Sequence, residues 1–301
     1  MPPLNRPIPQ WRDELRRIES LGFSTVAVSD HFSHGWSMDP IVAMTVAAEA
    51  TTSLRVLGMV FCNDFRHPVL LHKSMANLDL FSGGRVEIGL GAGWQRDDHD
   101  AAGLPFDDVH TRLSRLAEAL DIIGGLFGPD PLTYHGEHYR VTDLDGLPKP
   151  VQRPRPPLLV GGGGKRVLEL AGRTADIVGI NPRLSPDVDP LRAVEEMSPE
   201  RVGRQVGWVR AAASAVDRDP ELQLRIFDLR IRVGNELLTA SSSHARNAAP
   251  DAMAASPAVL HGDLDSCVEQ LHATRERFGI SYFHLGSNVD AAAPIVAKLA
   301  R

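Results

Sequence analysis

Apolar and polar residues along this chain fall into two alternating periods. Short apolar runs of β type stand at 24–29 (STVAVS), 54–61 (LRVLGMVF), 85–90 (RVEIGL), 157–162 (PLLVGG), 176–181 (DIVGIN), 223–233 and 280–285 (ISYFHL). Longer stretches of helical period lie between them. Residues 8–21 place Trp11, Leu15 and Ile18 on one stripe, and Gly22 ends it. Helices are expected at 40–51, 68–81, 111–127, 165–173, 198–215, 264–278 and 291–299, with Asp263 as one cap. Residues 128–156 form a long Gly/Pro-rich connection with a small hairpin in LTYHGEHYRV. The Ala/Ser-rich stretch 240–258 reads as a loop or a loosely held helix.

Strands alternating with helices imply a parallel sheet covered by helices. A doubly wound sheet and a (β/α)₈ barrel both fit the order. The seven strands and the length of 301 residues favour the barrel. An eighth strand should precede the first helix, but only MPPLNRPIPQ stands there, and its prolines make a poor central strand. No domain boundary is evident, so the chain reads as a single barrel domain, residues 1–301.

Composition narrows the partners. A net charge of -6 favours neither nucleic acid nor an anionic membrane. No apolar run reaches the length of a membrane span, and the first residues lack a signal-peptide pattern. Two cysteines, Cys62 and Cys267, give no disulfide framework, which makes a reducing cytoplasm the expected setting.

Candidate chemistry gathers at strand ends. In the third strand Val86, Ile88 and Leu90 share one face, and Glu87, Gly89, Gly91 and Gly93 share the other. Glycines facing a barrel interior leave space for a flat ring, or they serve close packing. Trp94 stands where a dinucleotide fingerprint needs its third glycine. The run Gly161 to Gly164 followed by Lys165 and Arg166 joins a strand end to a helix start and suits a phosphate. Asp30 and His31 follow the first strand, and Cys62, Asn63 and Asp64 follow the second. Nothing nearby in sequence activates Cys62 as a nucleophile. Asp97, Asp98, His99 and Asp100 read as acids near a helix start or on a solvated loop rather than as metal ligands.

The ordered set Gly22-Phe23, Ser29-Asp30-His31-Phe32, Arg66-His67-Pro68, Leu78-Asp79 with Ser82-Gly83-Gly84-Arg85, the run from Gly89 to Trp94, Ala102-Gly103-Leu104-Pro105-Phe106, and Pro157 to Gly162 resembles the bacterial luciferase-like monooxygenase superfamily. Within it, the chain looks most like actinobacterial oxidoreductases that use the deazaflavin coenzyme F420. The resemblance implies a (β/α)₈ barrel with an insertion, often dimeric, whose planar cofactor lies at the C-terminal mouth. It places His31, with Asp30 beside it, as the catalytic group. Met59 and Val60 would match a bulge, often a cis peptide, under the ring. Cys62, Asn63, Gly91, Gly93 and Trp94 would border the cofactor, and Gly163, Gly164 and Lys165 would bind its phosphate. Some deazaflavin dehydrogenases carry a Glu acid at the position of Trp94, and this chain does not. The expected function is hydride transfer between coenzyme F420 and an organic small molecule in a cytoplasmic homodimer. An FMN-dependent monooxygenase and a degenerate, non-catalytic binding protein are the alternatives.

Overall fold

A computed structural model describes residues 1–33, 38–184 and 189–300. The chain divides into two compact units, Met1–Glu19 with Ser24–Val160 and Ser20–Phe23 with Gly161–Arg301.

The first unit opens with helix α1 (Ile8–Ser20), which buries Trp11, Leu15 and Ile18 as the spacing predicts. Each such burial is worth about 1.5–3 kcal/mol. Strand β1 (Thr25–Val28), helix α2 (Pro40–Ala50), strand β2 (Arg55–Cys62), helix α3 (Pro68–Ser82) and strand β3 (Val86–Gly91) follow. Then come helices α4 (Arg96–Ala102) and α5 (Val109–Leu126), the hairpin β4 (Leu132–His135) and β5 (Arg140–Leu144), and strand β6 (Leu158–Gly162). The strands β1, β2, β3 and β6 pair in that order, all parallel.

Local chemistry sets the helix ends. Asp39, His67 and Asp108 accept backbone N–H groups at the starts of α2, α3 and α5, and Pro40 and Pro68 occupy first-turn positions. Gly83 ends α3 at φ 66°. The long connection is anchored by Asp79, whose carboxylate accepts Val151 N (2.7 Å), Gln152 N (3.1 Å) and Gln152 Nε2 (2.7 Å). Met1 to Pro7 form no strand, although the Met1 nitrogen donates to Ala27 O of β1 (2.6 Å).

The second unit holds helix α6 (Lys165–Thr174), strand β7 (Ile177–Ile180), helix α7 (Pro199–Ser214) and strands β8 (Glu221–Arg225), β9 (Asp228–Val233) and β10 (Glu236–Ser241). Helix α8 (Pro250–Ala255), strand β11 (Val259–Asp263), helix α9 (Leu264–Phe278), strand β12 (Ile280–His284) and helix α10 (Val289–Leu299) complete it. β7, β8 and β12 pair in parallel. Asp263 caps α9 by accepting Ser266 N (2.8 Å), as expected.

One expectation needs correction here. The single strand at 223–233 is two strands. Ile226 N donates to His284 O (2.8 Å) and Phe227 N to Ala258 O (2.8 Å), after which β9 joins a separate sheet ordered β10-β9-β11. The stretch 240–258, read as a loop or a loosely held helix, ends β10 and contains the short helix α8. The core of this unit gathers Ile226, Leu229, Ile231, Leu260, Leu271 and Ile295. No helix among the described residues is long and apolar enough to cross a membrane.

The glycine strand has a structural reason at its centre. The Met59–Val60 peptide is cis, and the β2–β3 register shifts between Gly58 and Phe61. A Cβ on Gly89 would lie 2.2 Å from Gly58 O. The space at Gly89 is thus taken by the backbone of the neighbouring strand, not left for a ring. Gly89→Ala must displace that backbone and should cost about 1–3 kcal/mol. Gly124→Ala meets nothing within 4 Å inside α5 and should be neutral or stabilising by about 0.5–1 kcal/mol. Urea unfolding of the two variants checks the contrast.

Candidate active site

The first unit builds its site from the C-terminal ends of β1, β2 and β3. Asp30, two residues past β1, is 3% exposed. Its Oδ2 accepts Cys62 N (3.1 Å) and Arg66 Nη1, and its Oδ1 accepts Arg66 Nη2 (3.1 Å). Arg66 Nη2 also reaches Asp39 Oδ2 (3.2 Å). A bidentate pair of this kind is rigid and strong. Both Asp30 oxygens are committed, and they tie the end of β1 to the end of β2.

His31 has a different partner, and it comes from the acidic run at 97–100. Asp98 is 1% exposed and His99 is equally buried, because 96–102 form helix α4 and turn these two residues inward. His31 Nδ1 stands 2.6 Å from Asp98 Oδ2. Asp98 Oδ1 accepts Phe32 N (3.0 Å), Ser33 N (2.8 Å) and Ser33 Oγ (2.6 Å). Burial alone would raise the Asp98 pKa. The hydrogen bonds from Ser33, His31 and Phe32 outweigh it and hold the carboxyl at about 2. An ionised Asp98 makes Nδ1 the proton-bearing nitrogen of His31 and leaves Nε2 as the basic atom. Gln95 Nε2 steadies the arrangement by donating to Ser33 Oγ (2.7 Å).

The remaining nominated residues of this unit surround the pair. Met59 and Val60 are half-buried in a strand otherwise buried from Val56 to Cys62. Ser29 Oγ donates to Met59 O (3.2 Å). Trp94 is 39% exposed, with its ring centroid 6.1 Å from that of His31. Gly93 takes φ 76°, and a Cβ there would lie 2.8 Å from Cys62 Sγ. Gly91 pairs in register with Cys62. Burial pushes the Cys62 thiol up to about 12, which keeps it protonated and unsuited to nucleophilic attack. Asn63 Nδ2 donates to Tyr139 OH (3.3 Å) at the edge of a cavity of about 280 Å³.

Gly163, Gly164 and Lys165 lie apart from these, in the second unit. They line a cavity of about 430 Å³ together with Arg183, Arg201, Arg204 and Gln205. Gly164 opens α6 with no side-chain cap, so the first N–H groups of the helix remain to be satisfied. A Cβ on Gly163 would lie 2.4 Å from Pro182 C, so only glycine fits there. Gln205, 1% exposed, donates to Gly163 O (3.0 Å) and Asn181 O (2.8 Å) and fixes the loop. Its buried Oε1 has no hydrogen-bond partner. Arg201 pairs with Glu196 (2.5 Å) and Lys165 with Glu169 (3.7 Å). Four cations at an uncapped helix start fit a phosphate-bearing group.

The sequence signalled Asp98 only by its place after the glycine strand. Nothing in the sequence linked Arg201 and Arg204 to Lys165, some forty residues earlier.

A model of the luciferase-like monooxygenase family matches residues 3–282. Among characterised proteins, the chain is 27% identical over 238 residues to an FMNH₂-dependent dimethylsulfone monooxygenase of Pseudomonas putida, covering 76% of this chain and 64% of that one. It is 29% identical over 166 residues to an F420-dependent glucose-6-phosphate dehydrogenase of Amycolatopsis mediterranei, covering 53% and 49%. The match thus spans about half to just under two thirds of these relatives. The solved coenzyme F420-dependent tetrahydromethanopterin reductase of Methanopyrus kandleri superposes with a TM-score of 0.76 at 19% identity, over 98% of this chain and 95% of that one. This likeness shows the fold, of the barrel type expected from the sequence.

The depressed Asp98 pKa fixes a pH signature. The folded value lies below the unfolded one. Its contribution to stability is therefore full above about pH 4 and is lost as pH falls toward about 2. Asp98→Asn should lower stability at pH 7 by about 1–3 kcal/mol and flatten the loss between pH 4 and 2, read by urea midpoints at each pH.

Proposed function

The chain belongs to the luciferase-like monooxygenase family, and on that premise we propose an oxidoreductase that moves a hydride between the deazaflavin coenzyme F420 and an organic small molecule. Members of the family are oxidoreductases or monooxygenases, and the relatives named above use a flavin or a deazaflavin. The observation that carries the choice of deazaflavin is the cationic cavity at the start of α6. Coenzyme F420 has a phosphodiester and a tail of glutamate carboxylates, whereas FMN ends in one phosphate. Lys165 and Arg201 each share their charge with a glutamate, and with Arg183 and Arg204 they make a row of four cations that suits several spaced anionic groups.

In this reading Gly163, Gly164, Lys165 and the three arginines hold the anionic part of the cofactor. Met59, Val60, Cys62, Asn63, Gly91, Gly93 and Trp94 line the place of its ring. Bound deazaflavin supplies the two-electron hydride donor or acceptor. His31 accepts or returns a substrate proton at Nε2, and Asp98 keeps Nδ1 protonated and the ring in place. Asp30, held by Arg66, keeps the β1 end where His31 needs it. The exposed Leu70 and Phe81 of α3 support a homodimer as part of the same reading.

Titration of the protein with oxidised F420 and, separately, FMN, followed by fluorescence quenching, tests the proposal. Saturable binding of F420 that weakens with added salt is expected. Arg204→Gln should weaken it about tenfold. Binding of FMN alone would replace the reading by an FMN-dependent monooxygenase.

A further inference from the structure

The second unit carries a polar strand face that the assignments above do not use. Register pairs Gly179 of β7 with Gln223 of β8, and Gln223 and Arg225 of β8 with Tyr282 and His284 of β12. Alternation puts these five on one face, with Val178, Ile180, Leu222 and Leu224 on the other. The second set is buried and apolar, as a strand face against helices should be. The first set replaces the bulky apolar side chains that normally fill a barrel interior.

At the C-terminal strand ends, where ligands bind in parallel sheets, Arg225 and His284 stand side by side. Arg225 is half-buried, and its Nε is shielded from solvent without a hydrogen-bond partner. Its guanidinium lies 5.2 Å from the centre of the Phe227 ring. Among the described residues no carboxylate forms an ion pair with it, and burial lowers its pKa with no acid nearby to restore it. His284 Nδ1 is likewise buried and unpartnered. Burial and then the Arg225 charge push the His284 pKa down to about 3, so the ring is neutral and offers one N–H donor. Buried polar groups are rarely left unpaired in a folded protein. Two adjacent ones at a strand end, one of them an unmatched cation, call for an anion.

We propose that Arg225 and His284 form a subsite for an anionic group, carboxylate or phosphate, and that the substrate carries such a group. The second half of this statement rests on the enzyme reading, whereas anion binding stands without it.

Calorimetric titration of cofactor-free protein with inorganic phosphate and with acetate tests the subsite. A Lys165→Gln/Arg204→Gln background weakens the α6 cavity so that it does not mask the result. One residual anion site is expected, weakened about ten- to a hundredfold by Arg225→Gln and less by Arg225→Lys. His284→Gln should weaken it too, and it supplies the test if Arg225→Gln does not fold by circular dichroism. Binding of phosphate alone would assign a phosphate ester, and binding of acetate a carboxylate. Absence of a residual site, or affinity unchanged in the folded variants, would overturn the proposal and leave Arg225 as a packing partner of Phe227. A failure of F420 to bind would not touch this result, so the two readings fail separately.

Discussion

The site in the first unit depends on one buried carboxylate. A charge removed from water is costly unless it is paired and hydrogen-bonded. Asp98 meets that cost with Phe32 N, Ser33 N, Ser33 Oγ and the His31 ring. All of these donors belong to the segment just after β1, while Asp98 itself belongs to α4, just after β3. The same bonds that stabilise the charge therefore fix where His31 stands and which of its nitrogens bears the proton. Asp30 and Arg66 repeat the principle between β1 and β2. Two ionic anchors, each reaching across strand ends, turn three loops into one rigid rim.

The two units handle charge in opposite ways. In the first, the buried acids Asp30, Asp98 and Glu87 are each matched by Arg66, His31 and Arg55. In the second, cations gather in two places. Four cations surround the uncapped start of α6, and Arg225 has no acid beside it among the described residues. The chain as a whole is acidic, with a net charge of -6. These local clusters run against the overall balance.

The sequence made the parallel strands and their helices legible because apolar periodicity reports burial directly, as at Trp11, Leu15 and Ile18. It also located His31, Cys62 and Lys165, which sit at strand or helix ends. It failed where long-range packing decides. The pattern cannot tell that the chain changes sheets after Arg225, because Leu222 and Leu224 of β8 and Leu229 and Ile231 of β9 alternate with polar residues in the same way. A row of acids cannot tell that Asp98 faces inward while Asp97 faces solvent. The glycine strand looked like room for a ring, yet Gly89 answers to the bulge of β2, an element 30 residues earlier. The pairing of Arg201 and Arg204 with Lys165 arises only once α7 folds beside α6.

The account stands most directly on the state of His31. Nitrogen-15 spectra of the histidine side chains, with His31→Gln to assign the signal, would read it. The account predicts that Nδ1 stays protonated at neutral pH, and that Asp98→Asn removes this preference. A His31 signal with the proton on Nε2, unchanged by Asp98→Asn, would contradict it.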